Sequence, residues 1–340
     1  MTPPQRPPPA KPAKKTRPKK RPSPHLPIRE EVVPIRTVEL SGGARPHPEL
    51  GLGLWNSGHW TIEDEARTKA TIGRAWERGV RWFDTAEVYG NGRSERLLGE
   101  VLNRVPSAAP DTFVVTKVSW EHLRASQVRA SLIGSLERMA RRSVDLYLVH
   151  APDRRVPLSE TMGALEGLWK EGKIGAIGVS NFSLEELEEA SRHLSEAKIV
   201  VNQVCYNLFL REEADGVREY CRTHGILLEA YSPLARGLLL EGPLDEPTAR
   251  KKAHELSHSL AEPGHLTEIL ERRRALQDLA SDTRVPLASM ALHWLRKMDA
   301  VPVFGASRPE QLDSNLAAWS VRPPDRVLDR ADRIARGERA

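Results

Sequence analysis

Asp84, Lys117 and His150 follow one another at two equal steps of 33 residues, and Tyr89 stands five positions after the first of them. An acid, an amine, an imidazole and a phenol brought to one place share a chemistry. A buried lysine paired with a carboxylate would put positive charge beside the phenol, stabilise its phenolate, lower its pKa and fit it for proton transfer near neutral pH. Each residue alone has a plainer role: Asp84 could cap a helix, Lys117 lie at a rim, Tyr89 pack in a loop, and His150 be a satisfied core histidine. The equal steps favour the shared role, because they place an acid, a base and an imidazole at equivalent positions of three successive units.

The elements that would position these groups are legible from about residue 50 onward. Leu50–Leu54, Trp82–Phe83, Phe113–Thr116, Asp145–Val149, Ala176–Val179, Ile199–Val204, Ile226–Ala230 and Val301–Phe304 are short, mostly apolar runs without strict alternation, as strands covered on both faces should be. Helical periodicity lies between them, as at Leu132, Leu136 and Met139. Thr61 with Asp64, and Ser183 with Glu186, have the spacing of helix N-termini in which one side chain caps amides and the acid complements the dipole. The early strand starts recur with a period close to 31 residues, the length of one β/α unit. Eight such units predict an α/β protein, a closed (β/α)8 barrel, with the site at the C-terminal ends of the strands. Asp84, Lys117 and His150 fall at those ends.

Two additions to the barrel are expected. Residues 32–48 should form a small hairpin closing its bottom, and the polar stretch 235–285 should be a helix-rich insertion at its mouth, with a further helix at 285–297. The barrel would occupy residues 30–340 as one domain. Residues 1–29 form a separate class of sequence: residues 1–28 hold eight Lys or Arg, no acid and ten of the 26 prolines, which predicts a disordered basic tail. Its positive run from Lys14 to Arg21 could touch nucleic acid, although a solvated tail is the simpler expectation. Without those eight charges the net charge of +5 becomes −3. No apolar run approaches the roughly 20 residues of a membrane-spanning helix, so the expectation is a soluble cytoplasmic protein. Cys205 and Cys221 suit neither a disulfide scaffold nor a thiolate metal site. The glycine fingerprint of a Rossmann fold is also missing, since Gly51-Leu-Gly53-Leu-Trp-Asn56 lacks its third glycine.

Seven stretches, in order, resemble the aldo-keto reductase superfamily: Phe83-Asp-Thr-Ala-Glu-Val-Tyr-Gly90, Val115-Thr-Lys117, Asp145-Leu-Tyr-Leu-Val-His-Ala-Pro-Asp153, Gly178-Val-Ser-Asn-Phe182, Val201-Asn-Gln203, Ala230-Tyr-Ser-Pro-Leu234 and Gly305-Ala-Ser-Arg308. The resemblance runs from about Glu49 to Ala318. His150-Ala-Pro-Asp153 with Glu160-Thr161 leans toward the aflatoxin-aldehyde reductase branch. The resemblance implies NADPH-dependent reduction of aldehydes or ketones to alcohols. It makes Tyr89 the general acid, tuned by Lys117 and Asp84, with His150 orienting the carbonyl and no metal required. Ser180, Asn181 and Gln203 would hydrogen-bond the nicotinamide carboxamide, Tyr231 would stack on its ring, and Ser232 and Leu234 would line the pyrophosphate. Asp84 also falls among the cofactor-contacting positions. Gly305, Ser307, Arg308, Gln311 and Asn315 would hold the adenosine end. Leu54 stands where family members often carry threonine.

Three tryptophans are the candidate substrate contacts. Trp55, Trp60 and Trp120 follow the first and third barrel strands and could wall an apolar pocket for a small carbonyl compound. Two other function classes compete with this reading. His254-Glu255-Leu-Ser-His258 matches the H-E-x-x-H pattern of zinc proteases, with Glu268 or Glu271 as a conceivable third ligand, but the match is single and sits in the polar insertion. A catalytically silent barrel that binds cofactor and regulates a partner is the second. All four catalytic positions are filled, which argues against it.

Overall fold

A computed structural model describes residues 32–55, 60–105 and 111–338. The expected tail at residues 1–29, and any polyanion contact it makes, lies outside the described residues. Eight parallel strands close into a barrel: β3 (Gly51–Gly53), β4 (Trp82–Asp84), β5 (Phe113–Val118), β6 (Leu146–Val149), β7 (Ile177–Ser180), β8 (Ile199–Cys205), β9 (Leu227–Tyr231) and β10 (Ala300–Gly305), which pairs back onto β3. Each expected strand is present, within a few residues of its predicted bounds. Helices follow the strands: α1 (Ile62–Glu77), α2 (Arg93–Leu102), α3 (Ala125–Met139), α4 (Leu158–Lys170), α5 (Leu184–Arg192) and α6 (Glu212–His224).

Side-chain alternation sorts the barrel strands into an interior and an exterior. Trp82, Phe113, Val115, Leu146, Leu148, Val201 and Val303 form one buried cluster inside the barrel, while the opposite strand faces join the larger core under the helices. The interior is crowded enough to dictate glycine at Gly51, where a Cβ would come within 2.2 Å of the Trp82 ring. The same alternation carries the chemistry. Two residues along from Trp82 is Asp84, two along from Val115 is Lys117, and two along from Leu148 is His150, so the apolar plug ends where the ionisable layer begins.

The bottom of the barrel is closed as expected by an antiparallel hairpin, β1 (Thr37–Val38) with β2 (His47–Pro48). Leu40 joins the interior cluster, and the His47 ring meets Trp82 and Phe113 edge-on at 4.3 and 4.6 Å. Both helix starts read from the sequence are reciprocal capping boxes: Thr61 with Asp64 before α1, and Ser183 with Glu186 before α5. After β9 the stretch 235–285 is helical, with α7 (Glu246–Leu256) and α8 (Pro263–Thr283). α7 packs on the short turn Ala235–Gly237 at the barrel mouth. α9 (Leu287–Lys297) leads into β10, and α10 (Pro309–Ser320) and α11 (Asp325–Ala335) follow it. α11 packs against α8 and α9, tied by Asp332 to Trp294 at 2.8 Å and to Arg211 at 2.7 Å.

Candidate active site

Lys117 is the centre of the ionisable layer. Fully buried on β5, its ammonium donates to Asp84 Oδ1 at 2.7 Å, to the Thr85 carbonyl at 2.9 Å and to the Tyr89 hydroxyl at 3.3 Å. Three acceptors around one ammonium satisfy its donors and fix it in place. Burial works against the charged form, but Asp84 and Tyr89 outweigh it and hold Lys117 above the usual lysine range. Burial likewise raises Asp84, with Lys117 pulling it down and the nearby Glu229 pushing it up.

Tyr89 sits in the turn between β4 and α2. That turn needs glycine twice, at Gly90 (φ 59°) and Gly92 (φ 82°), where the backbone is left-handed. Burial lifts the Tyr89 phenol above its ordinary value, and Lys117 offsets this only in part. The expected lowering of this phenol is therefore reversed, because removal from water outweighs the ammonium. The consequence suits a donor: the phenol keeps its proton, and the charge it would acquire on giving it up falls beside Lys117.

His150 follows β6 and faces Tyr89 and Trp120 edge-on, with ring centroids 5.5 and 5.7 Å away. Burial, reinforced by Lys117, drops its pKa to about 3. It is a neutral imidazole at any ordinary pH. Its Nδ1 is buried with no hydrogen-bond partner, so the ring is not committed elsewhere in the protein and can offer Nε2 to a group in the cavity.

Behind these four lies a chain of buried polar groups that the sequence did not reveal. His47 Nδ1 meets the Pro48 carbonyl at 2.7 Å and its Nε2 meets Glu229 Oε1 at 2.9 Å. The Gln203 amide then donates to both Glu229 Oε2 at 2.5 Å and Asp84 Oδ2 at 2.8 Å. A continuous relay of contacts thus runs from the bottom hairpin to the phenol. Both side-chain amide hydrogens of Gln203 are used, which leaves its side-chain oxygen Oε1 as the group available to a ligand. The one sequence signal was an acid, Glu229, inside an otherwise apolar strand.

A cavity of about 710 Å³ opens above this layer. Asp84, Tyr89 and His150 line it, as do Ser180, Asn181, Gln203, Tyr231, Ser232 and Leu234 on one side and Gly305, Ser307 and Gln311 on another. Trp55 and Trp120, both about 42% exposed, stand at its wall. Three expected contacts do not reach it. The Trp60 ring lies on Gly90, so close that a Cβ there would approach it to 2.4 Å, and it braces the Tyr89 turn instead. Asn315 is buried and donates to the Gly305 carbonyl at 3.3 Å, holding the end of β10. Arg308 is exposed just before α10. Residues from the insertion do line the cavity: Arg236, Lys252 and Glu255.

Internal bonds preset much of the cavity wall. Asn181, in left-handed backbone at φ 60°, donates to the His150 carbonyl at 3.0 Å and accepts from the Tyr231 hydroxyl at 3.0 Å. Ser180 donates to the Gln203 backbone carbonyl at 2.8 Å. At the far end, the Ser307 amide and hydroxyl both donate to Gln311 Oε1, at 3.0 and 3.2 Å. An anion arriving there must displace the Gln311 side chain.

The zinc-protease pattern does not assemble a metal site. His254 Nε2 and His258 Nδ1 face each other at 2.9 Å on an exposed helix end, Glu268 pairs with Arg272 at 3.0 Å, and no group of three possible ligands occurs among the described residues. Burial pushes the Cys205 and Cys221 thiols up to about 12, which leaves them unreactive. No described helix is long and apolar enough to cross a membrane.

Comparison with known proteins agrees with this geometry. The chain is 30% identical over 292 residues to aldo-keto reductase YhdN of Bacillus subtilis, covering 81% of this chain and 87% of the relative. It is 32% identical over 291 residues to L-glyceraldehyde 3-phosphate reductase of Escherichia coli, covering 80% and 84%. Its fold matches an aldo/keto reductase of Klebsiella pneumoniae solved with NADP and acetate, at a TM-score of 0.71 and 25% identity over 88% of this chain and 95% of that one. The model of the Aldo/keto reductase family matches residues 49–336, and the chain belongs to that family.

Proposed function

We propose that this protein reduces aldehydes or ketones to alcohols with NADPH, and that Tyr89 is the general acid. The observation that carries the reading is Lys117, whose single ammonium touches both Asp84 and the Tyr89 hydroxyl. The lining suits a dinucleotide: an amide oxygen at Gln203 and the Tyr231 ring at one end, and open space beside Gly305, where a Cβ would meet nothing, toward the start of α10 at the other. Ser180, Asn181 and Gln203 would hold the carboxamide, Tyr231 would face the ring, and Ser232 and Leu234 would lie along the pyrophosphate. Gly305, Ser307, Arg308 and Gln311 would take the adenosine end, with Asn315 supporting it through Gly305. When bound, NADPH supplies the hydride to the carbonyl carbon.

The protein's own residues do the rest. Tyr89 gives its phenolic proton to the carbonyl oxygen, so the substrate gains one hydride and one proton and leaves as the alcohol. The phenolate left behind lies 3.3 Å from Lys117, where charge developing in the transition state is stabilised by a preorganised cation. His150, neutral, donates from Nε2 to the same oxygen and directs the carbonyl toward Tyr89. Trp55 and Trp120 provide apolar walls. The Escherichia coli relative named as a reductase of a phosphorylated aldehyde and the Klebsiella structure holding NADP support the reaction class and the cofactor.

A panel of aldehydes, ketones and sugars, followed by loss of NADPH absorbance, tests the proposal. Turnover is expected with at least one carbonyl class. Tight NADPH binding without oxidation by any of them would instead support a cofactor-binding regulatory barrel.

A further inference from the structure

One acid between Asp84 and Tyr89, Glu87, has no part in the proposed chemistry. The turn that carries it continues the pairing of β4 with β5: the Thr85 amide donates to the Val115 carbonyl at 2.9 Å and the Glu87 amide to the Lys117 carbonyl at 3.4 Å. Two residues past Lys117 the chain leaves the sheet at Ser119, and there the Glu87 side chain reaches across. Its Oε1 accepts from the Ser119 amide at 2.6 Å and meets His122 Nδ1 at 3.0 Å. The Glu87 side chain is about 10% exposed and Ser119 is fully buried, so the bond lies largely out of solvent, where a lost acceptor is costly.

What this carboxylate holds is the short turn Trp120–His122. Ser119 caps that turn by accepting from the Glu121 amide at 3.2 Å, and the far end is fixed where Thr161 of α4 donates to the Leu123 carbonyl at 2.8 Å. Between the two anchors stands Trp120, about 42% exposed, its ring edge-on to His150 at 5.7 Å as that of Tyr89 is at 5.5 Å. A large ring so exposed keeps one orientation only where its backbone is fixed, because packing alone does not offset the freedom it loses. A carboxylate bonded to a backbone amide is a strong and directional tie. It makes one unit of the turn bearing the proton donor and the turn bearing the apolar wall.

We infer that Glu87 is a positioning residue that confers preference for aromatic carbonyl substrates, by fixing Trp120 beside His150 and Tyr89 as the surface on which a substrate ring packs. This deepens the proposed reductase function and rests on it for the reacting end. An aromatic aldehyde would present its carbonyl to Tyr89 and His150 and its ring to Trp120, and the ring contact contributes fully only while the indole is already held in place. A short aliphatic aldehyde has no ring to pack and gains little from it.

The test follows 4-nitrobenzaldehyde and propanal with the full-length protein. Glu87→Met keeps the bulk of the side chain and removes its oxygens. It should raise KM for 4-nitrobenzaldehyde about 2- to 10-fold, the worth of an oriented aromatic pair, with KM for propanal and NADPH affinity little changed. Glu87→Gln, which keeps an oxygen for the Ser119 amide, should restore the wild-type KM. In a Trp120→Ala background Glu87→Met should add nothing to the KM for the aromatic aldehyde, because the ring it positions is gone. Should Glu87→Met not fold, Glu87→Asp, one methylene too short to reach, takes its place with the same expectations. No rise in KM, or equal rises for both aldehydes, would overturn the inference. So would an undiminished effect without Trp120, a matching loss of NADPH affinity, or failure of Glu87→Gln to restore KM. If wild type reduces neither aldehyde, the reductase proposal fails on these substrates, and calorimetric titration with 4-nitrobenzyl alcohol in the presence of NADP+ still decides the inference. Binding weakened by Glu87→Met and restored by Glu87→Gln would support it; absent or equal binding would overturn it.

Discussion

The Lys117 ammonium bridges the Asp84 carboxylate and the Tyr89 hydroxyl, at 2.7 and 3.3 Å, from a position with no exposure to solvent. A lysine so placed has two functions that mutation separates: it neutralises a buried carboxylate, and it favours the phenolate over the phenol.

Replacing Lys117 with methionine should therefore affect stability and catalysis together. Removing one member of a buried pair leaves Asp84 uncompensated, at a cost of about 3–5 kcal/mol in chemical denaturation. The double variant Lys117→Met with Asp84→Asn should recover much of that stability and none of the turnover. The pH–rate profile of the residual activity of Lys117→Met should shift upward, since Lys117 is the chief influence lowering Tyr89. An unchanged profile in Lys117→Met would contradict the coupling.

His150 should leave no mark on the pH dependence near neutrality. With its pKa held at about 3 by burial and by Lys117, it stays neutral from pH 5 to 9, and kcat/KM should show no imidazole step near 6.5. His150→Gln, which keeps an N–H donor, should retain more activity than His150→Ala. A neutral-range inflection in wild type that disappears in His150→Gln would show that the imidazole titrates. The linkage has a definite sign: unfolded chains bind a proton at His150 below about pH 6.5 that the folded protein refuses until about 3, so this residue makes folding less favourable as pH falls through that window.

The relay from His47 to Asp84 predicts an effect far from the cavity. His47→Ala leaves the buried Glu229 side chain without its contact at the bottom of the barrel, and a loss of about 1–3 kcal/mol is expected for the unsatisfied group. Because Glu229 also fixes Gln203, Glu229→Leu should weaken nicotinamide binding as well, measured by fluorescence titration with NADPH. Stability and cofactor affinity both unchanged in these variants would show that the relay carries nothing.

How much of this was legible beforehand follows from how each contact is made. Strands buried on both faces announce themselves as short apolar runs, and regular spacing of Asp84, Lys117 and His150 betrays the repeating unit, so the barrel and the four central residues could be read directly. Boundaries were softer: Asp145 was expected inside a strand, yet its carboxylate accepts from the Val114 amide just before β6 begins. His47 and Glu229 are 182 residues apart and meet only because the hairpin plugs the closed barrel. Arg236 lies two residues past a recognisable motif, and nothing local announces that it folds onto Trp55. Trp60 was expected in the pocket because it follows the first strand, but its ring packs on the backbone of Gly90.

Cofactor choice should reside where β10 gives way to α10. Arg308 is exposed before a helix that opens on Pro309, where amides, helix dipole and a permanent cation would all favour a 2′-phosphate. Arg308→Ala should weaken NADPH by about 1.5–3 kcal/mol and barely alter NADH. Equal losses for both cofactors in Arg308→Ala would relocate the preference.

Tyr89→Phe tests the central claim most directly, because it deletes one proton donor and keeps the ring. Single-turnover reduction of the best carbonyl substrate, with NADPH affinity measured in parallel, should show the chemical step slowed by about 10²- to 10⁴-fold, the usual worth of positioned proton transfer, with cofactor affinity nearly intact. A chemical step retained within about tenfold of wild type would contradict the assignment of Tyr89 as the acid.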